Sequence, residues 1–349
     1  MNETIQRNTF VGAGFVALDV VHAEDEACIG RFAGGSCGNV GTILSYLGWS
    51  TSLLARIGDD AAGDILLNDL DDFGVNLSGV IRERSKRTPV IFERVRVDAS
   101  EGPRHSFTRK CPSCGSWAAS YRPVLKRTVA ELYASVPRPT VYYFDRVAPA
   151  NIELARLAHE DGALVVFEPS SIKDERLFRE GLKLCHVFKY SEGRFDDVHD
   201  LELFTRVPAV VSTRGDQGLE VSFRRLGAQS HTIEMAAIPT SGVRDEAGSG
   251  DWCTAGLVMG LANKEAFPEE ILAEREHLLS ALRLGQAMAA LNCKYIGARG
   301  AMYHFSPGEI LGIASEATTG SSGLTRRTCA EALTRKPQRR TAGCIQCES

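Results

Sequence analysis

The chain has 349 residues, of which 44% are hydrophobic and 24% charged, as is typical of a folded globular protein. Its formal net charge of −4 argues against a nucleic-acid-binding protein, since such proteins usually carry a basic domain. No run of about 18 apolar residues predicts a transmembrane helix, and the first residues lack the charged and apolar regions of a secretory signal. We therefore expect a cytoplasmic protein with no nucleic-acid or membrane partner.

Apolar runs and helical patterns alternate along most of the chain, which predicts a parallel sheet with crossover helices. Residues 10–21 form an apolar, glycine-bearing run that predicts a buried first strand. Gly34 and Gly35 follow in a glycine turn that leads into a helix ending near Gly48. Residues 52–58 predict the next strand.

A different pattern occupies residues 88–98, where Ile91, Glu93 and Val95 alternate with the residues of the opposite side. This period of two predicts a small sheet separate from the main one. After Pro123 the alternation of strands and helices resumes. Further strands are predicted at residues 141–144, 164–167, 186–190 and 209–213, and helices at 151–159, 253–262 and 277–291.

The most informative segment is residues 245–251, Asp-Glu-Ala-Gly-Ser-Gly-Asp. Gly248 and Gly250 bracket Ser249 immediately before a predicted helix, so that successive backbone N–H groups can converge at the helix start. Such a start binds anions and can stabilise the charge that develops during phosphoryl transfer. Asp251, in the first turn, could then accept a proton from an attacking hydroxyl. A plain glycine turn with Asp251 as the N-cap has the same pattern, and the spacing alone favours neither interpretation.

Two signatures in the chain resemble those of the ribokinase (pfkB) family of carbohydrate kinases. Residues 245–251 are similar to the family's C-terminal signature, Asp-Thr-x-Gly-Ala-Gly-Asp. Gly34, Gly35 and Asn39 match its N-terminal signature, a Gly-Gly turn followed four residues later by Asn, and residues 56–63 are similar to its continuation. Two signatures in the right order, over 200 residues apart, are much more specific than either one alone.

The resemblance implies an α/β fold of the ribokinase-like type, a three-layer α/β/α sandwich with a small β-sheet lid over the sugar site. It assigns residues 1–317 to the kinase domain, with lid strands from about residues 15–35 and 88–123. Residues 318–349 are left as a polar, cysteine-containing tail. The resemblance also implies a homodimer joined through the lids.

The resemblance further implies transfer of a phosphoryl group from ATP, with Mg²⁺, to a hydroxyl of a sugar-like substrate, with Asp251 as the general base. The implied residues are Gly248, Ser249 and Gly250 for the phosphoryl group, Asp19, Gly34, Gly35 and Asn39 for the substrate, and Lys189, Thr213, Gly215 and Gly218 for the nucleotide. Asp19 could instead be a strand-end aspartate. The segment from Thr213 to Gly218 could equally be an ordinary hairpin turn.

Two segments depart from the family pattern near the expected phosphates. Glu246 stands where the signature has Thr, and its carboxylate would repel phosphates unless it points away or helps to hold magnesium. The family's Asn-x-x-Glu segment, whose Glu supports the metal-bound waters, aligns with Ser191 to Arg194 and matches at neither end. Glu192 or Glu168 could take the place of that Glu.

Ten cysteines are many for a cytosolic enzyme, and four of them form two Cys-x-x-Cys pairs. Cys111 and Cys114 lie in a Cys-Pro-x-Cys-Gly sequence of the zinc-knuckle form, and the tail holds Cys344 and Cys347. Because tetrahedral zinc is usually bound by two such pairs, the four cysteines predict a structural zinc site that joins the tail to the lid region. Free or redox-active thiols are the alternative.

The residues and the resemblance together favour an ATP-dependent kinase of a sugar or sugar-like molecule. The altered Asn-x-x-Glu segment and the cysteine-bearing tail leave open a non-catalytic sugar or nucleotide sensor on the same fold. A nucleoside kinase is a third hypothesis, for which Phe32 or Phe107 would be the candidates to contact the base.

Overall fold

The computed structural model describes residues 8–22, 28–98, 102–194, 204, 206–224, 230–262, 266, 268–319 and 324. The strands in this part are β1 (Thr9–Ala13), β2 (Ala17–His22), β3 (Cys28–Gly34), β4 (Ser50–Gly58), β5 (Val80–Glu83), β6 (Val90–Asp98), β7 (Gly102–Thr108), β8 (Val141–Phe144), β9 (Leu164–Phe167), β10 (Val187–Ser191), β11 (Ala209–Thr213), β12 (Leu219–Arg224) and β13 (Ser230–Met235). The α-helices are α1 (Ser36–Tyr46), α2 (Ala61–Asp72), α3 (Val129–Ala134), α4 (Pro149–Glu160), α5 (Glu175–Leu184), α6 (Ser249–Leu261), α7 (Pro268–Ala273), α8 (Arg275–Asn292) and α9 (Pro307–Thr319). Within these ranges, no helix is both long and apolar enough to cross a membrane.

The main sheet contains nine strands in the order β13-β12-β11-β10-β9-β8-β1-β4-β5. The strands from β11 to β5 in this order pair in parallel. Strand β12 pairs antiparallel with both β11 and β13. Because the carboxyl ends of parallel strands lie along one edge, residues that directly follow β8, β9 and β10 come close to each other there.

Helices cover both faces of the main sheet, and alternate side chains of each central strand enter the two cores. In β8, Val141 and Tyr143 pack in the core with α1, α2, α6, α8 and α9. Their neighbours Tyr142 and Phe144 pack in the opposite core with α3, α4 and α5. The predicted three-layer α/β/α sandwich is therefore confirmed.

A second sheet of four strands lies apart from the main one, in the order β3-β2-β6-β7. Strand β2 pairs antiparallel with β3 and parallel with β6, and β6 pairs antiparallel with β7. The prediction of a separate small sheet at residues 88–98 is confirmed by β6. The four strands of the small sheet fall within the stretches predicted for the lid. The boundary at residue 317 and the role of the tail stay predictions.

The prediction of one strand over residues 10–21 is wrong, because this run contributes to both sheets. Strand β1 pairs with β4 and β8 in the main sheet, and β2 pairs with β3 and β6 in the small one. The chain turns between them at Phe15, whose N–H donates to the Asp145 carboxylate over 2.8 Å. Both strands are fully buried, so their composition alone contains no sign of the change of sheet.

Small residues let α6 and α8 pack in close contact. A Cβ atom on Gly285 would lie 2.3 Å from the backbone oxygen of Cys253, and one on Gly256 would lie 2.5 Å from the Gly285 Cα. Two non-bonded heavy atoms cannot lie so close together. The two backbones therefore approach each other this closely only because both positions are glycine. This contact sets the position of α6 on the sheet.

We expect Gly285→Ala to lower the free energy of unfolding by about 1–3 kcal/mol, because the added methyl group overpacks the α6–α8 contact. The matched control is Gly312→Ala in α9, where an added Cβ meets nothing within 4 Å. That substitution should raise the stability by roughly 0.5–1 kcal/mol through helix propensity. Urea denaturation of the two variants checks the difference in sign, and an equal effect at both positions would contradict it.

Candidate active site

The start of α6 forms a turn that only glycine permits. Gly248 is its N-cap residue with φ 72°, and a Cβ there would lie 2.2 Å from the backbone oxygen of Ala298. The Ser249 N–H donates to the Glu246 oxygen at 3.1 Å, which closes the turn. The first N–H groups of a helix have no partner within it, so those of Gly250 and Asp251 are available to an anion.

Asp251 lies in the first turn of α6 and is 9% exposed. Its Oδ2 accepts a hydrogen bond from the Asn39 Nδ2 in α1 at 2.7 Å. Burial and the nearby Glu168 carboxylate raise the pKa of Asp251 to about 7, against the opposing effects of Asn39 and Lys189. The side chain can therefore gain and lose a proton near neutral pH.

A buried ion pair lies beneath the start of α6. The Nζ of Lys189, in β10, lies 2.5 Å from Oε1 of Glu168, which directly follows β9. It also donates to the backbone oxygen of Gly250 at 3.2 Å. Glu168 Oε2 accepts a hydrogen bond from the Thr254 hydroxyl at 2.6 Å. Burial opposes the charge on Lys189, but Glu168, Cys253 and Asp251 together outweigh it, so that the pKa of Lys189 is raised.

Asp145 follows β8 and connects the β1–β2 turn and the start of α1 to the main sheet. Its Oδ1 accepts from the Phe15 N–H at 2.8 Å, and its Oδ2 accepts from the Cys37 N–H at 3.2 Å in the first turn of α1. The Arg146 guanidinium lies 3.1 Å from the same carboxylate and over the Phe15 ring. The sequence analysis missed Asp145, although an acid directly after an apolar strand was a signal for it.

The residues predicted to bind the substrate lie together around the Gly34–Gly35 turn. A Cβ on Gly34 would lie 1.8 Å from Oδ2 of Asp19, so the carboxylate lies against the bare backbone. Burial raises the pKa of Asp19 to about 7, against the lowering effects of Arg299 and of the Gly35 N–H that donates to it. Asn39, one turn further along α1, contacts Asp251. The two predicted signatures therefore meet in one site.

Two charged residues that the sequence analysis did not select line a small cavity beside Asp19. They are Glu93, on the small sheet, and Arg299, in the segment before α9. Arg299 forms a buried ion pair with Asp69 of α2. Glu93 could have been found, because it is the acid on the otherwise apolar side of the strand at residues 88–98. Arg299 had no such signal, since its partner lies over 200 residues away.

Three of the four residues predicted to bind the nucleotide lie at the turn between the antiparallel strands β11 and β12, whereas the fourth, Lys189, lies in β10. Thr213 ends β11, and Gly215 and Gly218 both have positive φ, at 59° and 100°. This is the hairpin turn that the sequence pattern left as an alternative. Arg214 in the turn makes ion pairs with Glu220 at 2.7 Å and Glu234 at 3.0 Å. Binding of a nucleotide here stays a prediction.

The acids expected to support magnesium are engaged elsewhere. Both oxygens of Glu168 bond to protein groups, and Glu192 forms an ion pair with Arg214 at 3.3 Å. Glu246 is exposed to solvent. Within the described ranges, no three His, Cys, Asp or Glu side chains are placed to hold a metal ion together. These residues therefore do not form a fitted magnesium site.

The cysteine pair of the predicted zinc site lies in a tight turn after β7. Cys111 is buried and Cys114 is exposed, and the Gly115 N–H donates to the Cys111 backbone oxygen at 2.9 Å. The Cys114 Sγ lies 2.9 Å from the Ser116 hydroxyl. Cys344 and Cys347 lie outside the described residues, so the four-cysteine site stays a prediction.

Comparison with protein families and comparison with curated sequences both find similarity to carbohydrate kinases. The model of the family described as "pfkB family carbohydrate kinase" matches residues 13–101 and 153–303, more than half of the chain. The Arabidopsis thaliana protein named "Probable fructokinase-6, chloroplastic" is 24% identical over 298 residues, which cover 78% of this chain and 73% of that protein. A fructokinase of Solanum tuberosum is 22% identical over 281 residues, covering 76% of this chain and 81% of the relative.

Solved structures share the fold. A fructokinase with bound ATP from Xylella fastidiosa superposes with a TM-score of 0.67 at 19% identity, over 89% of this chain and 99% of that one. A nucleoside kinase of Burkholderia thailandensis in complex with inosine gives 0.64 at 18% identity, over 88% and 98%. The ribokinase of Arabidopsis thaliana gives 0.62 at 18% identity, over 89% and 99%. These matches confirm the ribokinase-like fold, and with the family match they lead to one conclusion: the chain belongs to the pfkB family of carbohydrate kinases.

Proposed function

We propose that this protein transfers the terminal phosphoryl group of ATP to a hydroxyl of a sugar, with Asp251 as the general base. The observation that carries the proposal is the position of Asp251. It is a buried carboxylate, with its pKa raised to about 7, in the same helical turn that presents free backbone N–H groups to an anion. The relatives named as fructokinases and the ATP-bound neighbour support a sugar as acceptor and ATP as donor.

The proposed chemistry divides between the carboxylate and the helix start. The substrate hydroxyl gives its proton to the Asp251 carboxylate as its oxygen attacks the γ-phosphorus of ATP. The bond from that phosphorus to the oxygen bridging it to the β-phosphate breaks, and ADP leaves with the bonding electrons. The N–H groups at Gly250 and Asp251 stabilise the negative charge on the transferring group, helped by the dipole of α6. The hydrogen bond from Asn39 keeps the carboxylate oriented towards the substrate pocket. Burial of the site limits the access of water as a competing acceptor.

Mg²⁺ belongs to the proposal as the usual partner of ATP, whose phosphate charge it neutralises when bound. The described acids do not form a fitted site, so we derive no step through the ion. The proposal has further parts: a homodimer joined through the lids, a cytoplasmic location and the structural zinc site. It also includes contact of the nucleotide with Lys189, Thr213, Gly215 and Gly218.

We expect Asp251→Asn to lower the rate of ADP formation in the presence of sugar by at least about 10²-fold, because the amide cannot accept the proton. Coupled measurement of ADP over a panel of sugars and nucleosides checks this. Asp71→Asn, an exposed acid in α2, is the matched control and should keep full activity. If sugars bind to the wild-type protein but none supports ADP formation, the sensor hypothesis replaces the kinase.

We expect Lys189→Met to lower the free energy of unfolding by about 3–5 kcal/mol, because it leaves the Glu168 carboxylate buried without its partner. Adding Glu168→Gln should restore most of this loss, since the remaining groups are then neutral. Urea denaturation and the KM for ATP, measured on the single and double variants, separate two roles of the lysine. A raised KM with unchanged stability would show that Lys189 acts mainly on the ATP phosphates rather than as a support of α6.

A further inference from the structure

A narrow cavity lies between the small sheet and the segment before α9. It leaves about 10 Å³ for the centre of a water-sized group, which is roughly the room needed by one water or hydroxyl. Its walls include two aromatic side chains, Phe32 and Tyr303, together with the acids Asp19 and Glu93 and the guanidinium of Arg299. The cavity therefore adjoins the substrate site through Asp19.

Arg299 is held firmly through its Nη2 nitrogen, while its Nη1 nitrogen is left for a further contact. Its Nη2 donates to the backbone oxygen of Ala33 at 2.7 Å and to the Asp69 carboxylate, and the side chain packs over the Phe73 ring. The residue is 3% exposed. Its Nη1 is buried and has no hydrogen-bond partner within the described part of the chain. Because a guanidinium only donates, this nitrogen needs an acceptor in the cavity, which either a water or a ligand oxygen can supply.

Glu93 offers the complementary group. It is 1% exposed and shares a hydrogen bond with Asp245, whose own oxygens accept the N–H groups of Ala247 and Gly297. Burial, together with the charges of Asp245 and Asp19, raises the pKa of Glu93 well above its ordinary range. The neutral acid then donates a hydrogen bond to the Asp245 carboxylate and keeps its proton. Its Oε1, which is buried and has no partner among the described residues, is left as an acceptor.

We propose that Glu93 and Arg299 form a specificity subsite that binds one uncharged hydroxyl of the sugar substrate on the lid side of the pocket. A hydroxyl is the small group that satisfies both residues at once, since its oxygen accepts from the Arg299 Nη1 while its hydrogen is donated to the Glu93 Oε1. This inference rests on the proposed sugar kinase function, which it deepens by defining the end of the substrate away from Asp251.

The same subsite excludes other substituents. A carboxylate or phosphate would suit Arg299 but would face the acids Asp19, Glu93 and Asp245. A protonated amine has no lone pair to accept a hydrogen bond from the Arg299 Nη1, and the guanidinium would repel its positive charge. A nucleobase is several times larger than the cavity. The subsite therefore selects a neutral sugar over a sugar acid, an amino sugar or a nucleoside at this position.

Isothermal titration calorimetry measures the affinity for sugars and so tests the subsite without requiring phosphoryl transfer. D-fructose, D-ribose and D-glucose are titrated into the full chain, followed by singly deoxygenated analogues of whichever sugar binds most tightly. We expect one deoxygenation to weaken binding by at least about tenfold, because it leaves buried polar atoms without a partner. In Glu93→Leu the parent sugar should lose a similar factor, and the same deoxygenation should then cause little further loss. Ser106→Ala, an exposed position on β7, should behave as wild type.

Three results would each overturn the subsite. The first is that the losses of affinity from deoxygenation and from Glu93→Leu are additive. The others are that the matching amino sugar binds more tightly than the parent sugar, or that none of the three sugars binds. If Glu93→Leu does not fold, Glu93→Gln takes its place. Its amide can donate to Asp245 and keep an oxygen in the cavity, so we expect affinity within about threefold of wild type, whereas a tenfold loss would contradict a neutral acceptor. ADP formation is measured separately. If the losses from deoxygenation and from Glu93→Leu are non-additive but no ADP forms, the subsite stands and the kinase function is wrong. If ADP forms but the losses are additive, the kinase function stands and the subsite is wrong.

Discussion

The ion pair between Lys189 and Glu168 holds the start of α6 in place, and the active site depends on that start. The pair is buried, and a buried charge is stable only while its partner and hydrogen bonds are present. Lys189 binds the Gly250 oxygen and Glu168 binds the Thr254 hydroxyl, so that two strands of the main sheet hold the first two turns of the helix. The helix cannot shift along the sheet without breaking these two hydrogen bonds to charged groups.

The position of α6 brings together segments that lie far apart in the sequence. Asn39, in the first signature, reaches Asp251, in the second, with a hydrogen bond of 2.7 Å. Asp145 attaches the β1–β2 turn and the start of α1 to the end of β8. Asp251 and Asp145 are buried near this edge, and the side chain of Glu168 is 11% exposed. Burial raises the pKa of Asp251 most, and the negative charges of Glu168 and Asp145 raise it further. The packing that positions Asp251 therefore also sets the pH range in which its carboxylate is ionised.

Local patterns in the sequence predicted the features that depend on local chemistry. The apolar runs at residues 141–144, 164–167 and 209–213 coincide with β8, β9 and β11. The glycine turns at Gly35 and Gly248 precede α1 and α6, as their spacing indicated. The separation of β6 from the main sheet was predicted from its period of two.

Features that depend on distant partners could not be predicted in this way. The division of residues 10–21 between two sheets is set by pairing with β3, β4, β6 and β8, and nothing in the run itself marks it. The expected contact of Lys189 with phosphates did not anticipate that Glu168 lies 2.5 Å from it. Arg299 is explained only by Asp69 and by the cavity that it lines.

The central claim is that Asp251 is a general base whose ionisation near neutral pH is set by its burial and by Glu168. The most direct test is kcat/KM for the sugar as a function of pH, at saturating ATP, for the wild-type protein and Glu168→Gln. The base acts only when ionised, so we expect wild-type activity to rise with pH through a midpoint near 7. Removal of the Glu168 charge should move this midpoint to lower pH. A wild-type profile that is flat from about pH 5 to 8, as for an aspartate of ordinary pKa, would contradict the account.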